Sequence, residues 1–267
     1  MGKAVDTVLA FATAGAASAF PTALAAAPGD NLNVRSFPSS SKAFIQSLIY
    51  SAGGGQLVRV QSPLMHDNVT GLTFQPGETP SQFSLPGDLS VEIRPTDTLQ
   101  ASGAIAAAGT IVLGIVNYYE DLDGADAKLY NWSDLRGMIR YVKSFQVQLG
   151  AIAVGAWSDT LITATENQLH ADEYYAILGY GVDPAVDIVG FKGSATGNLR
   201  ICGPGPVSTL DISEYFIYMN ERTKRPFIPV FNSNDRTAFY VSAANHAAVA
   251  AQGAAVYPIV AQLTRRP

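Results

Sequence analysis

The residues of this chain that could do chemistry are few and scattered. There are three histidines, His66, His170 and His246. Imidazoles hold zinc when spacings such as HxH or HxxxH present two of them to one ion. These three lie far apart, so a zinc site would need three unrelated loops to converge, and each is read as a solvated loop histidine. The run Glu120-Asp121-Leu122-Asp123-Gly124-Ala125-Asp126 offers alternating oxygen ligands beside a glycine, which suits a hard cation. It lacks the twelve-residue loop closed by a bidentate acid, and a solvated linker between domains is the plainer reading. Cys202 has no His or acidic neighbour in sequence to lower its thiol pKa, so a small buried residue beside a turn is expected. The glycine clusters 53–55 and 203–205 lack the GK[ST] ending and following helix of a phosphate loop. No GxSxG elbow occurs, and no Ser/His/Asp set is suggested by position. Paired carboxylates of the glycosidase kind can come from any two strands, but nothing here points to them. Asn68-Val69-Thr70 and Asn131-Trp132-Ser133 match glycosylation acceptors, but such triplets occur often by chance and the first falls in a repeated turn, so the structural reading is taken. The expectation is a protein without catalytic, cofactor-binding or metal-binding residues, not an enzyme.

Composition narrows the class. The 267 residues suffice for one large domain or two small ones. Charged residues make up 15%, well below the usual quarter, so much of the surface is expected to meet other protein, the alternative being an extracellular, Ser/Thr/Gly-rich surface. The net charge of −5 and the lack of a basic block speak against nucleic-acid binding, sequence-specific or otherwise. With one cysteine, no intrachain disulfide forms, and stability must come from packing or assembly.

The elements that would have to position any site begin with an unusual stretch, MGKAVDTVLAFATAGAASAFPTALAAAPGD. One lysine, an apolar Ala-rich run and Ala25-Ala26-Ala27 have the outline of a secretory leader. Asp6 interrupts the run, and Met1 is present, so the stretch is read as a retained arm, helical from about Lys3 to Ala19. Apolar residues on most sides predict burial against protein or contact with lipid. Asp6, Gly15 and Pro21 make it a poor membrane span. The arm lies outside the repeats described below, so its removal is expected to leave their strand pairing intact.

Beyond it, short β-type runs alternate with Gly/Pro/Asn/Asp turns. Strands are predicted at 32–37, 43–50, 57–61, 72–74, 89–94, 98–101 and 110–119. A helix is predicted next, with Ser133 as N-cap and Leu135, Met138, Ile139 and Val142 on one stripe, weakened by Gly137. Strands resume at 145–154, 161–165, 174–180, 186–191, 199–202, 227–231, 238–243 and 255–263. A short helix or turn falls at 213–223.

An internal repeat organises these strands. The segment from Ala43, AFIQSLIYSAGGGQLVRVQSPLMHDNVTGLTFQPG, parallels the segment from Glu173, EYYAILGYGVDPAVDIVGFKGSATGNLRICGPG. Both run strand, turn, strand, polar loop, Thr-Gly, short strand, Pro-Gly. Tyr50 matches Tyr180, Gly71 matches Gly197, Pro76-Gly77 matches Pro204-Gly205, and the tails align Asp97 with Asp235. Two copies of about a hundred residues fit two tandem β-sandwiches. The expected division is an Ala-rich arm at 1–30, a first sandwich at 31–122, a linker with a helix at 123–144 and a second sandwich at 145–267.

Tandem sandwiches, a short helical linker, a retained N-terminal arm, few charges and one cysteine resemble the double jelly-roll major capsid proteins of tailless icosahedral viruses and bacteriophages, which often hold an internal membrane. TGNLRICGPG, EYFIYMNERTKRPFIPVFN and AAVYPIVAQL look like the second jelly roll, and YSAGGGQLVRV through NYYEDL like the first. The resemblance implies a virion shell protein made in the host cytoplasm. It implies self-association to homotrimers, a pseudo-hexameric capsomer and a capsid lattice, with minor capsid or vertex proteins as further partners. It also implies contact of the N-terminal arm with a neighbouring capsomer or internal membrane lipid. Two other classes remain open at this point. A carbohydrate-binding or adhesin-type tandem module would need an exposed aromatic platform, for which Tyr118, Tyr119, Tyr130 and Trp132 are candidates. A cupin-type enzyme would need a histidine set.

Overall fold

The computed structural model describes residues 2–14, 18–37, 42–52, 55–65, 68–75, 80–105, 109–122, 129–162, 169–207, 210–234, 239–250 and 254–267. Within them the chain is mainly β, in antiparallel sheets packed as sandwiches.

The first half holds β1 (Gly2–Ala14), β2 (Ser18–Ala26), β3 (Lys42–Ala52), β4 (Gly55–Gln61), β5 (Leu72–Phe74), β6 (Ser81–Ser84), β7 (Val91–Ile93), β8 (Gln100–Ile105) and β9 (Gly109–Leu122). They hydrogen-bond in the order β5-β4-β8-β2-β1-β9-β3-β6, with β7 also on β3. Strand β2 runs beside β8 from Ser18↔Ile105 to Leu24↔Ala101 and then meets β1 at Phe11↔Ala25 and Ala10↔Ala26. The path therefore turns over at β2 into two layers, β1-β9-β3-β6 and β2-β8-β4-β5. Tyr50, Ile111, Leu113 and Ile115 of one layer share a buried core with Val58, Val60 and Ala101 of the other.

The second half holds β10 (Leu129–Tyr130), α1 (Trp132–Leu135), β11 (Ile139–Ser144), β12 (Val147–Gln148), β13 (Ser158–Leu161), β14 (Tyr174–Val182), β15 (Ile188–Lys192), β16 (Arg200–Pro204), α2 (Tyr215–Thr223), β17 (Ile228–Asn232), β18 (Tyr240–Ala244) and β19 (Ala255–Leu263). One sheet runs β10-β17-β14-β19-β11, with β12 on β19, and the other β13-β18-β15-β16. Set aside the short β10 and β12, count β6 and β7 as one, and number the strands of each half from its start. Both halves then have one layer ordered 1-8-3-6 and another ordered 2-7-4-5.

The repeat read from the sequence lands on equivalent strands. Tyr50 on β3 and Tyr180 on β14 are both fully buried in the third strand of their half. Gly71 and Gly197 precede the fifth strand, with φ of 60° and 63°, where only glycine is free of strain. A Cβ on Gly71 would strike the Val60 carbonyl. The third strand bulges against the eighth in both halves, between Ile45 and Ser47 and between Ile177 and Gly179. Pro76, Gly77 and Asp235 lie outside the described residues.

The strands expected at 32–37 and 145–154 shrink to a bridge at Asn33 and to β12 with bridges at Ile152 and Val154, and two larger expectations are overturned. The stretch expected to be a helical arm forms β1 and β2. Strand β1 pairs with β9 from Gly2↔Leu122 to Ala14↔Gly109 and so sits inside the first sheet. Alanine is the best intrinsic helix former, but propensity is a small effect per residue, and pairing along a long partner overrides it. Alternation does the rest: Val5 and Leu9 point to the second half, and Ala4 and Ala10 to the first core. The helix expected from Ser133 is four residues long, starts at Trp132 with Asn131 in the N-cap position, and gives way to a 3-10 turn at Arg136–Met138. Ile139 and Val142, assigned to a helical stripe, lie on β11 beside β19. Branched and aromatic side chains in alternation suit that strand, and Gly137 weakens continuation of the helix.

Strands β1, β3 and β9 send residues into two cores. Val5, Leu9, Ile49, Val112, Val116 and Tyr118 join the core of the second half, whose β16 lies against this sheet. The sheet is therefore buried on both faces, which explains the nearly unbroken apolar run of β9.

Candidate functional site

Of the buried charged side chains among the described residues, Asp6, Asp187 and Arg200 lie at the seam between the halves and Asp97 within the first half; polar clusters form at that seam in three places. The first centres on Arg200, at the start of β16 and 8% exposed. Its Nη2 donates to both Asp159 oxygens at 3.1 and 3.0 Å, and its Nε to Ser242 Oγ at 3.1 Å. The guanidinium lies 4.2 Å from the Trp157 ring centre and 3.7 Å from Asp30 of the first half. Asp30 accepts from Trp157 Nε1 at 2.8 Å and from the Leu9 amide at 2.7 Å. Burial pushes the Asp30 carboxyl above the usual range, opposed by those two hydrogen bonds and by Arg200. Asp6 accepts from the Arg200 amide at 3.4 Å and from Arg35 Nε. These groups line a cleft of about 290 Å³ with Lys192 and Asn198 at its side. Three carboxylates face three cations there, and the bonds above already use Arg200 and Asp30, so the cluster acts as a fastening.

The second centres on Arg225, which follows α2. It reaches across to the first half, donating to Glu120 Oε1 at 2.9 Å, Gln46 Oε1 at 2.8 Å and Ser90 Oγ at 2.7 Å. Its guanidinium stacks 4.3 Å from Phe44 and 4.9 Å from Tyr118. A planar guanidinium suits such a site, giving several directed bonds and a flat face to the rings.

The third joins His246, just after β18, to Asp187, just before β15, and to Ser51 on β3 of the first half. His246 Nδ1 lies 2.7 Å from Asp187 Oδ2 and 2.9 Å from Ser51 Oγ, and the His246 amide donates to the same carboxylate at 2.8 Å. The trio has the residue types of a hydrolase triad but not its geometry. A triad puts acid and nucleophile on opposite ring nitrogens, so that the base can take a proton from the serine. Here both meet at Nδ1, and Ser51 is fully buried.

The residues singled out in the sequence are dispersed. His170 is exposed, its amide donating to Tyr175 Oη at 2.9 Å and its ring edge-on to Tyr141. His66 lies outside the described residues, as do Asp123, Gly124, Ala125 and Asp126 of the acidic run. Glu120 is bound to Arg225. His246 is not the lone loop residue expected. Cys202 is buried on β16, and burial pushes its thiol up to about 12. Gly203 is glycine because a Cβ would strike the Tyr180 hydroxyl and the Tyr215 ring. Among the described residues, no three His, Cys, Asp or Glu side chains are grouped to hold a metal ion. Tyr118 and Tyr119 are fully buried, and Tyr130 and Trp132 pack half-buried on the core, so the four form no exposed aromatic platform. Among the described residues, no helix is long and apolar enough to cross a membrane.

The seam was missed in sequence because its partners are far apart along the chain. Asp6, Asp30 and Arg200 carry no motif, and one signal alone pointed to them: a carboxylate, Asp6, inside an apolar run. Compared with known proteins, the chain matches no protein-family model and no curated protein.

Proposed function

We propose that this protein is the structural unit of an icosahedral virion shell, two tandem jelly rolls per chain, assembled as trimeric pseudo-hexameric capsomers. The observation that carries the reading is the strand order, 1-8-3-6 over 2-7-4-5, repeated in both halves. An eight-stranded double sheet of two Greek keys is a jelly roll, an architecture used by viral coats as well as by lectins and cupins. Two such units locked side by side give a block with internal twofold similarity. Three blocks around a threefold axis give six similar units, an outline that tiles a hexagonal net. The buried arginine fastenings support the reading, because a tile must hold its two halves rigid while its rim meets neighbours. So does the charged fraction of 15%, as interface cores are depleted in charge. The neighbours are further copies and, at vertices, minor shell proteins. Val5, Leu9 and Ala10 are already covered by the chain itself, so they offer no apolar surface to lipid. The carbohydrate-binding reading is weakened, because Tyr118, Tyr119, Tyr130 and Trp132 do not form the exposed platform it called for.

Sedimentation velocity of the purified chain tests the capsomer. The expected result is a trimer that persists on dilution to micromolar concentration. A monomer across the whole range would refute it.

A further inference from the structure

We propose that the Ser51–His246–Asp187 contact is a pH-tuned clasp between the two halves, tight in mildly acidic solution and weakened in alkaline solution. The inference does not rest on the shell reading. The clasp has one member on each side of the seam, Ser51 on β3 of the first half and Asp187 beside β15 of the second, with the ring of His246 between them. The ring is not sealed away: its side chain is 28% exposed, against 8% for Asp187, so a proton can come and go.

Geometry assigns the tautomer. A carboxylate 2.7 Å from Nδ1 accepts only, so Nδ1 carries hydrogen and Nε2 is the nitrogen that titrates. Below the transition the contact is an imidazolium on a carboxylate, a charge-assisted bond. Above it, the same bond persists between a neutral ring and the carboxylate, and the charge attraction is lost. The surrounding groups leave that attraction unopposed. From its own stretch, Asn245 is neutral and occupied, accepting from the Asp187 amide and donating to the Ala185 carbonyl. In the loop before β15, Asp183 turns away to accept from the Ala255 amide, and Asp187 is the charge that bears on the ring. From β3, the facing group is the Ser51 hydroxyl.

The sign follows. The hydrogen bond to Asp187 raises the His246 pKa above its ordinary 6.5; burial opposes the rise and the Asp187 charge adds to it. A group whose folded pKa is raised contributes stability that is complete below the unfolded value and is lost as pH rises through the folded value. The clasp is therefore fully engaged below about 6.5 and relaxes above it.

Thermal unfolding of the full chain, wild type against His246→Gln, at pH 5.5, 7 and 9 tests this. The expected gap is roughly 2–4 °C at pH 5.5, narrowing at pH 9. A gap of equal size at every pH would overturn the switch. The crossing of the seam is tested by Ser51→Ala in both backgrounds at pH 5.5. Its cost should be smaller when His246 is already Gln, and an equal cost in both would overturn the clasp. If His246→Gln does not fold, an NMR titration of the wild-type His246 ring decides. An inflection above 6.5 supports the proposal, and one at or below it refutes it.

Discussion

A variant that begins at Asn31 loses β1 and β2, and with them the strand that lies between β9 and the turn into the second layer. Four large buried apolar side chains are lost, Val5 and Leu9 from one core, Leu24 from the other, and Val8, each no more than 6% exposed. At about 1.5–3 kcal/mol for burying each, their loss removes about 6–12 kcal/mol. A whole domain is stable by only about 5–15 kcal/mol. The backbone groups of β9 from Gly109 to Leu122 that faced β1 also lose their partners, and the Leu9–Asp30 and Arg200–Asp6 bonds vanish. The expected outcome is loss of cooperative unfolding, followed in urea by near-ultraviolet circular dichroism and tryptophan fluorescence. Leu9→Ala is the graded version and should cost about 2–5 kcal/mol, because the residue is fully enclosed between the halves. A truncated chain with a native spectrum and a midpoint near that of the full chain would refute the reasoning and restore the segment as a dispensable arm.

Two further outcomes follow from the seam. Arg200→Met removes the cation that Asp159 and Asp30 share and should destabilise by about 3 kcal/mol, the low end for breaking a buried pair because Asp159 is 32% exposed; a urea midpoint within error of wild type would contradict this. Cys202, with its thiol pushed up to about 12 inside the sheet, should resist a disulfide reagent at pH 8 until urea unfolds the chain; prompt labelling of the native protein would show that β16 opens readily.

Much of the β framework was legible, and the reason is local. Turn glycines and alternating apolar residues announce strands within a short window, and the order of matched features located equivalent strands in the two halves before any pairing was known. Gly71 and Gly197 illustrate this, since a left-handed φ is a requirement written into one residue. The N-terminal segment was misread for the opposite reason. Its Ala-rich composition tips weakly toward helix, while its strand state depends on β9, about a hundred residues away. The same applies to β11, whose partner β19 is also more than a hundred residues away. The seam was illegible because Asp6, Asp30 and Arg200 are joined by the packing of the halves and by nothing in their spacing. His246 reads as a loop residue until β3 of the other half brings Ser51 to it.

The claim that this chain builds shells is tested most directly by electron cryomicroscopy of the full-length protein, concentrated under conditions that favour association. The account predicts closed icosahedral particles or flat hexagonal sheets. In each, the repeating tile is a trimer whose six lobes match the two halves of each chain. Small, soluble particles of one to three chains at every concentration, with no tile or shell, would contradict it.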